Sequence, residues 1–214
     1  MSDELIQTSN EMKAREEAAL AVASTSKFFP RVQVYSGKSG AVNEGLIGVG
    51  HFGIKAAGEE DILDLGKEFD ALICAGKPKA MRINGDTILT YFEPESDEYK
   101  KIIDESDIKD SGCMYGPEYL LWTPGDQFFT FFMSSKTLRK DSKSVHSRLR
   151  KAAHFETRLI KANNYTWHGT TCRDCTGFPA LPDREELDEN IAKFMNEKSS
   201  QVEKAADNTG GRDR

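Results

Sequence analysis

Lys79-Ala80-Met81-Arg82-Ile83-Asn84-Gly85-Asp86-Thr87-Ile88-Leu89-Thr90-Tyr91-Phe92 is two short β-prone runs joined by Asn-Gly. That dipeptide supplies the positive φ angles of a tight hairpin turn, so the segment predicts two antiparallel strands. A second hairpin follows from residues 118–123 and 127–133 on either side of Pro124-Gly125. Its returning arm, Phe128-Phe129-Thr130-Phe131-Phe132, is aromatic on both faces. At least one face must therefore pack under another element or meet a ligand.

Outward from these hairpins, strands are predicted at residues 31–36, 68–75, 154–161 and 165–170, where apolar and polar side chains alternate. Asn163-Asn164 supplies the turn between the last two. The run Gly45-Leu46-Ile47-Gly48-Val49-Gly50, continuing to Ile54, reads as a glycine-bent strand, because no helical pattern follows to make it a phosphate loop. Helices are predicted after three caps. Ser96 precedes Tyr99, Ile102 and Ile103. Ser134-Ser135 precedes a helix at 136–153 with Leu138, Val145, Leu149 and Ala152 on one stripe. Asp183 and Glu186 make a capping-box-like start for 182–197, with Leu187, Ile191, Phe194 and Met195 as its packing face. Residues 1–27 read as an acidic arm or helix and 198–214 as a disordered tail. The expectation is a mainly β fold with α additions, an antiparallel barrel or sandwich over residues 28–181.

The 214 residues are 38% hydrophobic and 30% charged, enough apolar surface for one core inside a well-solvated exterior. No uncharged apolar run approaches the roughly 18 residues of a membrane helix, and Asp3, Glu4, Glu11, Glu16 and Glu17 do not suit a signal peptide. A cytoplasmic chain with no membrane partner is expected. The charge is unevenly spread. Residues 136–161 hold nine basic side chains against two acids, so this window is +7 and the rest of a chain of net charge −6 is −13. A basic stripe on an acidic body can hold a polyanion in one place; the alternative is a solvated helix face.

Enzyme signatures are lacking: there is no Walker A sequence, no G-x-S-x-G and no H-E-x-x-H. A nucleophile pair of Cys113 with His146 or His154 has no local signature around it. Four cysteines are too few for a disulfide scaffold. His168-x3-Cys172-x2-Cys175 places three zinc-compatible ligands within eight residues, with Cys113, His154 or His146 as a distant fourth. Structural zinc, a redox pair and plain reduced thiols are the three readings of that loop. No cofactor is otherwise called for.

Combined, the aromatic strand, the basic segment and Tyr165-Thr166-Trp167-His168 supply both halves of single-strand recognition, cations for phosphates and flat faces for bases. The candidate residues are Lys136, Arg139, Lys140, Lys143, Arg148, Arg150, Lys151 and Arg158 for phosphates, and Phe129, Phe131, Tyr165 and Trp167 for stacking. Arg148, Arg150 and Lys151 are expected to be free, since few acids lie near them in sequence. The alternative for the aromatic strand is core packing.

Phe28-Phe29-Pro30-Arg31, Leu65-Gly66-Lys67-Glu68-Phe69, Phe131-Phe132-Met133-Ser134-Ser135-Lys136 and Tyr165-Thr166-Trp167-His168-Gly169 together resemble phage-encoded OB-fold single-stranded DNA-binding proteins, over about residues 28–196. The resemblance implies a five-stranded Greek-key barrel whose groove tracks one strand, a role in replication or recombination, and replication or recombination proteins as partners. Replicative members often end in an acidic, aromatic-tipped tail, whereas this chain ends Asn208-Thr209-Gly210-Gly211-Arg212-Asp213-Arg214. The other class in view is a structural or interaction component of a phage particle or regulatory complex, its basic helix meeting an acidic protein surface. A small metal-dependent enzyme stands third.

Overall fold

A computed structural model describes residues 29–55, 61–85, 87–124, 127–162, 165–179 and 181–203. The expected N-terminal arm, most of the expected tail and the Asn163-Asn164 turn lie outside these residues. In chain order the elements are β1 (Arg31–Val34), α1 (Gly40–Asn43), β2 (Phe52–Lys55), β3 (Leu63–Gly66), β4 (Glu68–Asn84), β5 (Thr87–Tyr91), α2 (Asp97–Glu105), β6 (Cys113–Thr123), β7 (Gln127–Phe132), α3 (Lys136–His146), β8 (Ala152–Ala162), β9 (Tyr165–Asp174), α4 (Arg184–Met195) and β10 (Ser200–Glu203).

Both predicted hairpins form, β4 with β5 and β6 with β7. Gly85 takes φ 56°, the left-handed turn conformation that Asn-Gly supplies. The predicted strands at 68–75 and 79–83 are one 17-residue strand, β4. Pro78 is tolerated inside it because it falls between the stretch paired with β8 (68–72) and the stretch paired with β5 (80–84). The glycine-bent run is mostly turn, and only Phe52–Lys55 is strand.

The strands form one sheet in the order β10-β5-β4-β6-β7-β1-β2-β3, with β8 on β4 and β9 on β8. Most pairs are antiparallel, but β1 pairs with β7 in parallel, so the sheet is mixed rather than antiparallel. Nor does its ladder close into a barrel. Among the described residues β3 pairs only with β2, and β9 only with β8. The sheet nevertheless curls around one core. Phe69 of β4 stacks on Phe155 of β8 at 5.0 Å and meets Phe52 of β2 edge-on at 4.9 Å. Phe129, Phe131, Tyr119, Val32 and Val145 fill the same interior.

The aromatic strand is buried on both faces. Phe129 and Phe131 point into this core, while Phe128 lies on the opposite face with Leu72, Leu120 and Trp122, under Phe194 of α4. Thus α4 is a lid on the sheet's outer face. Leu187 and Ile191 pack there as predicted, but Met195 is 49% exposed. The outer face also buries Lys77, whose ammonium donates to the Phe194 carbonyl and pairs with Glu197 at 2.6 Å. Beside it Lys79 pairs with fully buried Glu118 at 2.6 Å. Burial holds the Lys79 ammonium below its ordinary pKa, opposed by Glu118.

Two boundaries correct the sequence reading. The helix predicted at 136–153 ends at His146, because Arg150 turns with φ 64° and the backbone bonds back to Ile73 of β4, which makes Ala152 and Ala153 the start of β8. The tail predicted as disordered from 198 contributes β10, which pairs with β5 from Ser200↔Thr90 to Glu203↔Thr87. No helix among the described residues is long and apolar enough to cross a membrane.

Because Phe131 is 1% exposed and contacts both Phe52 and Phe155, Phe131→Ala should destabilise the fold by about 3–5 kcal/mol. Urea unfolding of the two proteins gives the difference. A loss below about 1 kcal/mol would mean that the sheet does not curl around this ring.

Candidate functional site

Helix α3 begins where Ser135 accepts a hydrogen bond from the Leu138 N–H. Ser142 and Val145 are buried, and this fixes which side of the helix faces the protein. Lys136, Lys140 and Lys143 follow at helical spacing on the solvent side, exposed and without an ion-pair partner among the described residues.

The arginines behave differently. Arg139 lies over the Tyr115 ring at 4.1 Å and donates to the Ser134 carbonyl, so it braces the start of α3. Arg148 pairs with Asp174 at 2.8 Å, and Arg158 pairs with Asp141 at 2.5 Å. The expectation that Arg148 lacks a carboxylate is therefore corrected. Asp174 is distant in sequence, but the β8–β9 register sets it opposite Ala153. Arg150 and Lys151 are exposed in the turn after α3, with their backbones bonded to Ile73.

Asp141 positions α3. One of its oxygens takes Arg158, and the other accepts the Thr170 N–H of β9 at 3.0 Å. The helix thereby covers the edge of β9 that has no strand partner among the described residues. Gly169 is what allows so close an approach. A Cβ there would sit 2.8 Å from the Asp141 carboxylate and 3.1 Å from the Thr137 methyl. Trp167 is half-buried on the same face of β9, its indole N–H donating to the Thr137 hydroxyl at 2.9 Å. Two residues earlier Tyr165 is 71% exposed. The structure thus sets Trp167 against Thr137, next in the chain to Lys136, and Lys140 and Lys143 beside Thr170 and Thr171 farther along β9, while Tyr165 stands exposed at the start of that strand. It removes Phe129 and Phe131, both 1% exposed or less, from any stacking surface.

The other face of the β8–β9 hairpin holds Leu159, 55% exposed, opposite His168. His168 sits against Gly50, and burial, helped by Lys67, lowers its pKa. Nearby, His51 hydrogen-bonds both oxygens of Asp64 at 2.9 and 3.0 Å. The sequence reading missed that pair, and no spacing signalled it.

The proposed metal ligands are dispersed, and no group of three or more His, Cys, Asp or Glu among the described residues is arranged to hold a metal. Cys172 faces the core from β9, Cys175 lies beyond the strand end, and His168 is against Gly50. Cys113 accepts from the Arg82 guanidinium at 3.3 Å, His154 is hydrogen-bonded to Asp70 at 2.7 Å, and His146 is exposed at the end of α3. With these separate partners, Cys113 is not paired with either histidine. The chain matches no family model, no curated protein and no solved structure.

Burial pushes the Cys172 thiol up to about 11 and the Cys74 thiol up to about 12. At pH 8 about one Cys172 in a thousand is then thiolate, and the thiolate is the reactive form. In a thiol-disulfide exchange assay, Cys74 and Cys172 should react only when denaturant unfolds the chain. Rapid labelling of Cys172 in the native protein would contradict its placement against the core.

Proposed function

We propose that this chain binds single-stranded DNA without strong sequence preference and catalyses nothing, serving phage replication or recombination. The observation that carries the reading is the lysine stripe of α3, without ion-pair partners among the described residues, on a helix docked through Thr137 to half-exposed Trp167 of β9, the strand that also carries exposed Tyr165. Cations that neutralise phosphates release counterions, and base–aromatic stacking adds about 1–3 kcal/mol per base without reading its identity. Lysines with no carboxylate partner keep their charge available for this. Arg148 and Arg158, held by Asp174 and Asp141, serve mainly to fix the surface that carries them. An OB-like barrel is the finer fold in this proposal. It is supported by the curl of the sheet around Phe52, Phe69 and Phe155, and by a helix inserted between strands against the core.

Wild-type protein should bind oligo-dT at low salt and release it as salt rises. Replacing Lys136, Lys140 and Lys143 together by Ala should make the slope of log K against log[salt] shallower by about 2, three phosphates at about 0.7 each. The melting temperature should hardly change, since the three are exposed. No binding to oligo-dT, duplex DNA or RNA at low salt would end the nucleic-acid reading and favour an acidic protein partner.

Tryptophan emission gives an independent measure. Trp122 is 2% exposed beneath α4, so quenching by oligo-dT should come from Trp167. Trp167→Ala should weaken binding by about 1–3 kcal/mol. Wild-type affinity in that variant, with unquenched emission in the parent, would leave Tyr165 as the stacking side chain and remove Trp167.

A further inference from the structure

Tyr165, Trp167 and Gly169 share one face of β9, because every second side chain of a strand points the same way. A strand advances about 3.4 Å per residue, so the two aromatic residues stand about 6.8 Å apart along it. Bases in a stacked strand follow one another at about 3.4 Å. Two stacking steps therefore fit between the aromatic positions, which is room for one flat ring with a neighbour on each side. Neither partner on β8 reaches into that gap. Ala162, opposite Tyr165, offers only a methyl group. Ile160, opposite Trp167, extends toward Gly169 instead, where a Cβ would lie 2.9 Å from its Cδ1.

The two sides of the gap are built differently. Trp167 is half-buried and fixed by α3: its indole N–H donates to the Thr137 hydroxyl at 2.9 Å, while the Thr137 methyl would lie 3.1 Å from a Cβ at Gly169. The indole is thus held from the Gly169 side. Tyr165, on the other side of the gap, is 71% exposed. Lys136, exposed and next in the chain to Thr137, brings the nearest charge of the lysine stripe to the fixed side.

We infer that Tyr165 and Trp167 are the two walls of a slot that takes a single nucleobase, flat between the rings, from an unpaired strand. The slot deepens the single-strand reading and rests on it for its ligand. A base enters only after leaving its own stack and its pairing partner, so the slot selects single strand over duplex. Every base has a π face, so entry is open to all four, with purines gripped more strongly than pyrimidines through their larger faces.

The test uses the full chain and a twelve-unit abasic strand, end-labelled, carrying one adenine at its centre or none. The ratio of the two affinities is the gain from one base. Wild-type protein should show a gain of about five- to a hundredfold. Tyr165→Ile and Trp167→Leu, which keep apolar side chains without a flat face, should each cut that gain at least about threefold, and Tyr165→Phe and Trp167→Phe should retain most of it. If the rings instead stacked separate bases, a lone base would use whichever ring remained, and at least one of the two aliphatic variants would keep the wild-type gain; that result would overturn the slot. Because Tyr165 is exposed, Tyr165→Ile should hardly move the melting temperature, and it decides the matter even if Trp167→Leu fails to fold.

A second arm titrates isotopically labelled protein with dAMP and follows the indole N–H resonances. Trp167 should shift saturably, Trp122, 2% exposed, should not, and the Trp167 shift should be lost in Tyr165→Ile. That pattern with no affinity for any oligonucleotide would keep the slot and remove the DNA reading. Oligonucleotide bound by the wild type with no gain from the single adenine would remove the slot and keep the DNA reading. Neither ligand bound would remove both.

Discussion

Strand β4 is hydrogen-bonded along both edges and covered on both faces, and the placement of every other layer follows from it. One edge carries β6 from Leu72 to Arg82; the other is shared by β8 at its start and β5 at its end. Its early residues divide between two interiors, Ala71 and Ile73 toward the curled core, Leu72 and Cys74 toward α4. A strand so enclosed must be apolar on both sides, and Phe69 to Ala75 is close to a continuous apolar run. Where β4 turns polar, at Lys77 and Lys79, the charges are kept inside by Glu197, Glu118 and the rings of Phe92, Phe132 and Phe194. Removing one partner of the Lys79–Glu118 pair would strand the other charge in a dry site, a far larger loss than breaking an exposed pair.

What β4 organises, Asp141 orients. Among the described residues no strand pairs the outer edge of β9, and one carboxylate fastens α3 across it through Thr170 and Arg158. Open edges invite unwanted pairing, so covering one with a helix protects the fold. The same covering decides the electrostatic surface. The helix spends Val145, Ser142 and Asp141 on the protein side and is left with lysines on the water side. Stability and charge display are two outcomes of one docking event.

Sequence carried the local features well. Ser96, Ser135 and Asp183 cap the three longer helices as read, because a cap and its N–H partner lie within three residues of each other. Both hairpins were legible for the same reason. What sequence could not convey depends on partners far along the chain. The parallel pairing of β1 with β7, the docking of β10 on β5 and the end of α3 at the Ile73 backbone are of this kind. Within the candidate site, the charge count of residues 136–161 put Lys136, Lys140 and Lys143 on the same footing as the arginines beside them. It could not show that Asp174 and Asp141 hold Arg148 and Arg158, since strand register and helix docking set those distances. Nor could it place Phe129 and Phe131 inside: an aromatic run with two apolar faces needs two coverings, and the second is α4, fifty residues later.

The parallel pairing of β1 also bears on how the chain is made. Arg31 meets Thr130, and Val32 meets Phe131. A ribosome adding about 5–20 residues per second needs roughly 5–20 s to synthesise the intervening hundred residues. Through that interval β1 and β2 have each other but not β7, and the apolar side chains of Val32, Phe52 and Ile54 have no core to enter. A topology dominated by such distant pairings folds slowly once released, on the millisecond-to-second scale. The nascent chain therefore carries these apolar side chains without their core until residue 131 is made, an exposure created by one short strand whose neighbour arrives late.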